Sequence, residues 1–99
     1  LQTKLLVVLG HTNCGALNGA LASVSAADAA PKPDASMLEQ YLVALTPAAK
    51  QAKVELPFAS DEEVAELAIR INVMNTMRSI LEVSGPLRKQ WESGDLMIE

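Results

Sequence analysis

The hydrophobic positions predict two short strands at opposite ends of the chain, with helices between them. Lys4–Leu9 is a continuous run of leucine and valine, which is typical of a strand buried on both faces of a sheet. Leu96–Ile98 predicts a second strand. A strand–helices–strand order implies parallel pairing of the two strands through a right-handed crossover. The predicted fold class is therefore α/β, a parallel sheet flanked by helices.

The segments between the strands have the apolar spacing and the start and stop residues of helices. The small, polar, proline-containing segment Ser25–Ala35 predicts a loop. Thr46 followed by Pro47 has the pattern of a cap and a first-turn proline, so a new short helix is expected to begin there. The predicted helices are Cys14–Val24, Ser36–Leu45, a short helix from Pro47 to Lys53, 61–83 and Pro86–Ser93.

The helix over residues 61–83 is predicted most firmly and has apolar residues on more than one face. Ser60 and Glu63 form a capping-box pattern at its start, and Gly85 with Pro86 marks its end. A helix that is apolar on two sides needs two surfaces to pack against, such as its own sheet and another subunit. We therefore expect a homodimer or a higher homo-oligomer.

Length, charge and cysteine content limit the number of domains, the possible partners and the expected location of the protein. The 99 residues suffice for a single, partial domain spanning 1–99. A net charge of −4 without a basic cluster argues against nucleic acid or an anionic membrane as a partner. One cysteine excludes an internal disulfide, and neither a signal peptide nor a transmembrane run is visible. We expect a cytoplasmic or organelle-stromal protein.

The only histidine and the only cysteine of the chain lie three residues apart, just after the first predicted strand. His11 and Cys14 belong to the segment GHTNCG, which leads from that strand into a helix. Imidazole and thiolate are good zinc ligands, and the first amides of a helix favour the thiolate. The alternative is that Cys14 is a small buried hydrophobe and His11 an ordinary surface residue. The strand–Gly–His–Cys–Gly–helix context favours the metal interpretation.

That same context, residues 5–17 with the sequence LLVVLGHTNCGAL, resembles the second zinc motif of the β-class carbonic anhydrases. The resemblance extends more loosely over nearly the whole chain. It implies a β-carbonic-anhydrase-like fold and a zinc (Zn2+) enzyme, carbonate dehydratase, a lyase that interconverts carbon dioxide and bicarbonate. By this resemblance His11 and Cys14 are metal ligands and the amide of Gly15 borders the substrate. The working unit it implies is a dimer or higher oligomer.

The chain also departs from the family pattern. The family has a third ligand in an earlier Cys-x-Asp-x-Arg segment, and its Asp–Arg pair acts in catalysis. This chain has no such segment, so no catalytic residue can be assigned. It is similar to the carboxyl-terminal, truncated part of the catalytic core, and we expect it to be impaired or inactive alone. The alternatives are a non-catalytic oligomeric remnant, with or without a shared structural zinc, and a carbon disulfide or carbonyl sulfide hydrolase.

Overall fold

The described part of the chain forms four helices and one small parallel sheet, as expected for the α/β class. A computed structural model describes residues 3–23 and 36–99. The predicted loop Ser25–Ala35 and the predicted helix end at Val24 lie outside these residues. In chain order the elements are β1 (Leu5–Leu6), α1 (Gly15–Ser23), α2 (Met37–Glu55), α3 (Asp61–Val83), α4 (Gly85–Glu92) and β2 (Met97–Ile98).

The two strands pair in parallel, which confirms the predicted pairing. Leu5 lies opposite Met97 in the ladder. The ladder continues past the strand bounds, because the Val8 amide donates to the carbonyl oxygen of Glu99 at 2.6 Å.

The prediction that Lys4–Leu9 is a strand buried on both faces is wrong. The exposed fractions of Leu5, Val7 and Leu9 are 50%, 55% and 85%. In the part of the chain that the structure describes, β2 is the one strand paired with β1. A two-stranded sheet leaves one edge of each strand unpaired, and it gives alternate side chains little to pack against.

The fold divides into two compact units, one of which consists of residues 11–72. In this unit α1 packs against α2, and the first half of α3 adds to the same core. Small residues at the contacts allow the helices to approach closely. A Cβ atom on Gly19 would lie only 3.3 Å from Leu42 Cδ2. The buried members of the core are Leu17, Ala20, Leu45, Ala49, Ala52, Val64 and Ala68.

Pro47 does not begin a new helix, as the sequence predicts, but lies inside the continuous helix α2. An interior proline removes one backbone hydrogen bond and costs about 3 kcal/mol. Here the helix continues because Leu45 before the proline and Ala49 and Ala52 after it belong to one buried face. Burial of that face on both sides of Pro47 outweighs the local preference for a break.

Serine hydroxyls cap the starts of α2 and α3. At α2 the Ser36 hydroxyl accepts from the Glu39 amide at 3.2 Å, and the Glu39 carboxylate accepts from the Ser36 amide at 2.7 Å. At α3 the Ser60 hydroxyl accepts from the Glu63 amide at 3.2 Å, as its sequence pattern predicts. The bounds of α3, Asp61–Val83, match the predicted helix.

The second unit contains residues 3–10 and 73–99, and thus the sheet, the second half of α3 and α4. Leu96, next to β2, is buried. The Ser84 hydroxyl accepts from the Leu87 amide at 3.3 Å and so caps α4, while Gly94 follows it with φ +84°. Among residues 3–23 and 36–99, the helices lack the length and hydrophobicity needed to cross a membrane.

Candidate functional site

His11 and Cys14 lie at the two ends of a short bend that leads directly into α1. Asn13, between them, has φ 54°, in the left-handed region. Asparagine adopts this conformation more readily than most residues, because its short polar side chain tolerates it. The tight turn keeps His11 and Cys14 close together along the backbone.

Cys14 occupies the N-cap position of α1. Its carbonyl oxygen accepts the first helical hydrogen bond, from the Asn18 amide at 3.0 Å. Its side chain is half-buried and packs against the core of the 11–72 unit. The core contact anchors the residue at the N-terminus of the helix, which is the positive end of the helix dipole.

His11 is exposed, and its ring contacts the backbone of the next residue. Nδ1 lies 3.0 Å from the carbonyl oxygen of Thr12. A carbonyl oxygen can only accept, so Nδ1 is the protonated nitrogen in this contact. Nε2 then keeps its lone pair in the neutral ring. A hydrogen bond from one ring nitrogen to a carbonyl is the usual support for metal binding through the other.

Gly15, the first residue of α1, stands next to Cys14 and is exposed. A Cβ atom built at this position would meet no atom within 4 Å, so the space beside it is open. As a first-turn residue, Gly15 has an amide without an acceptor inside the helix. The position can therefore present a backbone donor to a small molecule.

An open cleft of about 730 Å³ borders Cys14. Its other lining residues, for which the sequence predicts no functional role, include Lys53, Asp61, Glu62 and Glu66. The Lys53 ammonium forms a hydrogen bond, in which Nζ donates to the carbonyl oxygen of Leu21 at 2.8 Å. The lining contains three acidic residues and one lysine, so its net charge is negative. A negative potential in the cleft favours cations.

The chain does not complete a zinc site from its own described residues. Structural and catalytic zinc sites take at least three protein ligands. Among residues 3–23 and 36–99, no three His, Cys, Asp or Glu side chains come together in a group that could hold a metal ion. The side chains of His11 and Cys14 have the right chemistry for zinc, but two residues fall short of that number.

Comparison with known proteins places the chain in a family. The model of the family described as carbonic anhydrase matches residues 1–99, the whole chain. Comparisons with curated proteins and with solved structures return no significant match. Members of the matched family are generally zinc enzymes. The chain belongs to the carbonic anhydrase family.

Proposed function

We propose that this chain contributes two zinc ligands, His11 and Cys14, to a centre that hydrates carbon dioxide reversibly to bicarbonate. The observation that carries the proposal is the bend between them, where Nδ1 of His11 contacts the Thr12 carbonyl and Cys14 is fixed at a helix N-terminus. Zinc supplies a water molecule whose pKa is lowered towards ~7, which makes a nucleophile at neutral pH.

The chain's own residues hold and orient the reacting groups. The core contact of Cys14 fixes the position of this residue at the start of α1. The hydrogen bond to Thr12 fixes the tautomer of His11. The carboxylates of the adjoining cleft attract a divalent cation towards Cys14.

Gly15 is the proposed substrate-binding residue. The open space where a side chain would stand gives a small molecule access to its amide. A backbone donor of this kind can hydrogen-bond an oxygen atom of carbon dioxide or bicarbonate as negative charge develops on it.

We expect the 99-residue chain alone to be impaired as an enzyme, because two ligands leave the metal weakly held. Loss of a residue that only supports a ligand costs about 10–100-fold in metal affinity or activity, and loss of a ligand costs at least as much. Activity then requires groups from outside this chain, of the kind that the Cys-x-Asp-x-Arg segment supplies.

The test is the rate of carbon dioxide hydration, measured by stopped flow with a pH indicator. The zinc-loaded chain is compared with and without an added peptide that carries a Cys-x-Asp-x-Arg segment. We expect the peptide to raise the rate for the unaltered chain, and not for Cys14→Ser. An equal increase with Cys14→Ser, or no increase with the unaltered chain, would contradict the proposed role.

The proposed working state is a homo-oligomer. In the unit of residues 3–10 and 73–99, several apolar side chains face solvent, including Met74 and Val83, the latter 87% exposed. Exposed apolar surface of this kind favours burial against another chain. Sedimentation velocity at micromolar concentration tests this proposal, and a single-chain mass would contradict it.

A further inference from the structure

One face of the small parallel sheet is covered, while the other is open to solvent in the part of the chain that the structure describes. Successive side chains of a strand point to opposite faces, and burial along both strands alternates accordingly. The side chains of the covered face are buried or half-buried: Leu6, Val8, Leu96 and Ile98. The side chains of the opposite face, which we call the open sheet face, are exposed: Leu5, Val7, Leu9, Met97 and Glu99. Four of these five are large and apolar, which is typical of a face that packs against another layer.

The register of the ladder brings these exposed side chains side by side. Leu5 lies opposite Met97. Glu99 forms backbone hydrogen bonds with the residues before and after Val7, which places Val7 opposite Glu99. Side chains of directly opposed residues lie on the same face of a sheet. Leu5, Val7 and Met97 therefore form one apolar patch, and the carboxylate of Glu99 lies at its margin.

The open sheet face has the dimensions of a single short helix. Leu9 follows Leu5 by four residues, which is about 13 Å along an extended strand. Apolar residues at positions i, i+4 and i+7 of a helix span about 10.5 Å. Two neighbouring strands lie about 4.8 Å apart, so their side chains form a strip narrower than a helix of about 10 Å diameter. One amphipathic helix covers this strip.

Charge favours a helix with basic residues over a second copy of the same face. Met97 stands between two acidic residues in the sequence, Asp95 and Glu99, and both are exposed. Two copies packed face to face bring these carboxylates together, and burial of a carboxylate without a cation is costly. Lysine or arginine beside the apolar stripe of a helix forms charge-assisted hydrogen bonds with them instead. The occupant that fits both the shape and the charge is an amphipathic, basic helix.

We infer that the open sheet face binds an amphipathic helix of another polypeptide. The apolar stripe of this helix covers Leu5, Val7 and Met97, and its basic residues pair with Glu99. Binding completes the usual arrangement of a parallel sheet, which is covered on both faces. The inference goes beyond the proposed function and does not depend on zinc binding.

The experiment measures the affinity of the chain for two synthetic helical peptides, by fluorescence anisotropy in the presence of EDTA. Both peptides have about 18 residues, which favours helix formation in water, and the same leucine stripe. Lysine flanks the stripe in one peptide, and glutamate flanks it in the other. We expect one lysine peptide to bind per chain, and the glutamate peptide to bind at least about fivefold more weakly. Sodium chloride at about 0.5 M should reduce this difference, because it screens exposed charges.

Two pairs of variants locate the binding surface. Val7→Lys places a charge in the apolar patch and should weaken binding of the lysine peptide by more than about fivefold. Val54→Lys adds the same charge at an exposed valine of α2 and should leave the affinity unchanged. Glu99→Gln should reduce the preference for the lysine peptide, whereas Glu92→Gln, at an exposed position of α4, should retain it. Val7→Thr keeps the β-branched shape that suits a strand, and it should weaken binding in the same direction if Val7→Lys fails to fold.

Several results would overturn the inference. These are no binding of either peptide, equal binding of both, or equal binding of the lysine peptide by Val7→Lys and the unaltered chain. A dimer of the chain without peptide that Val7→Lys converts to a monomer would show that a second copy covers the open sheet face, which also overturns the inference. Because metal is absent throughout, each of these results leaves the proposed zinc ligands untouched, and a failure of zinc binding leaves the helix site standing.

Discussion

Nδ1 of His11 lies 3.0 Å from the carbonyl oxygen of Thr12, the next residue in the chain. This contact sets the tautomer, because the carbonyl accepts the Nδ1 proton and leaves Nε2 as the nitrogen with a free lone pair. The backbone of the bend thus holds an exposed histidine in the tautomer that the proposed metal binding requires, three residues before a cysteine at a helix N-terminus.

Replacement of His11 should affect metal binding without affecting the fold. His11 is exposed, so His11→Ala should change the free energy of unfolding by less than about 0.5 kcal/mol. Zinc affinity, measured by competition with a chromophoric chelator, should fall by more than about 100-fold. Thr12→Ala keeps the backbone carbonyl and should retain the affinity. Equal zinc affinity in His11→Ala and the unaltered chain would exclude the histidine as a ligand.

The left-handed conformation of Asn13 provides a second test of the bend. Asn13→Gly should be tolerated, because glycine adopts φ 54° without steric cost. Asn13→Val should cost about 1–2 kcal/mol in that conformation, because a β-branched side chain collides with the backbone there. Urea unfolding gives the stabilities, and the same chelator competition gives the zinc affinities. We expect Asn13→Val alone to weaken zinc binding. If the two variants bind zinc equally well, the geometry of the bend does not matter for the metal.

The hydrogen bond from Lys53 to Leu21 joins α2 to the end of α1 in the 11–72 unit. Nζ lies 2.8 Å from a carbonyl near the helix C-terminus, where a cation is favourable. Lys53→Met keeps most of the side-chain volume and removes the donor, so it should destabilise the fold by about 1–2 kcal/mol. Gln51→Ala removes an exposed bond to Glu55 instead, and should cost less than about 0.5 kcal/mol. If urea unfolding gives the same loss of unfolding free energy for Lys53→Met and Gln51→Ala, the Lys53–Leu21 hydrogen bond contributes no more than an exposed side-chain hydrogen bond.

Pro47 is a site where stability can be gained. It lies exposed inside α2, where alanine is a much better helix former. Pro47→Ala should raise the free energy of unfolding by about 1–3 kcal/mol. Pro57→Ala, in the turn between α2 and α3, should lower it by about 0.4–1 kcal/mol, because the unfolded chain becomes more flexible. A loss of stability in Pro47→Ala, measured by thermal unfolding, would contradict a helix that runs through the proline.

The sequence was most informative where local chemistry decides the structure. Ser60 and Glu63 at one end and Gly85 with Pro86 at the other determine the bounds of α3, and both signals are local. The adjacency of His11 and Cys14 at a helix start also follows from their spacing. Pro47 was misinterpreted, because the buried face that carries α2 through it depends on distant residues such as Val64 and Ala68.

Other features depend on tertiary structure and have no sequence signal of their own. The apolar run Lys4–Leu9 has the composition of a buried strand, but its burial depends on how many strands pair with it. The cleft beside Cys14 is lined by residues of α1, α2 and α3, so the presence of Lys53 and Glu66 in the same lining is not visible in their spacing along the chain.

The most direct test of zinc binding by His11 and Cys14 is X-ray absorption at the zinc edge of the zinc-loaded chain. We predict sulfur at about 2.3 Å and nitrogen at about 2.0–2.1 Å in the coordination shell. The sulfur contribution should vanish in Cys14→Ser. A shell of oxygen and nitrogen alone in the unaltered chain would contradict the assignment of Cys14 as a zinc ligand, and with it the proposed function.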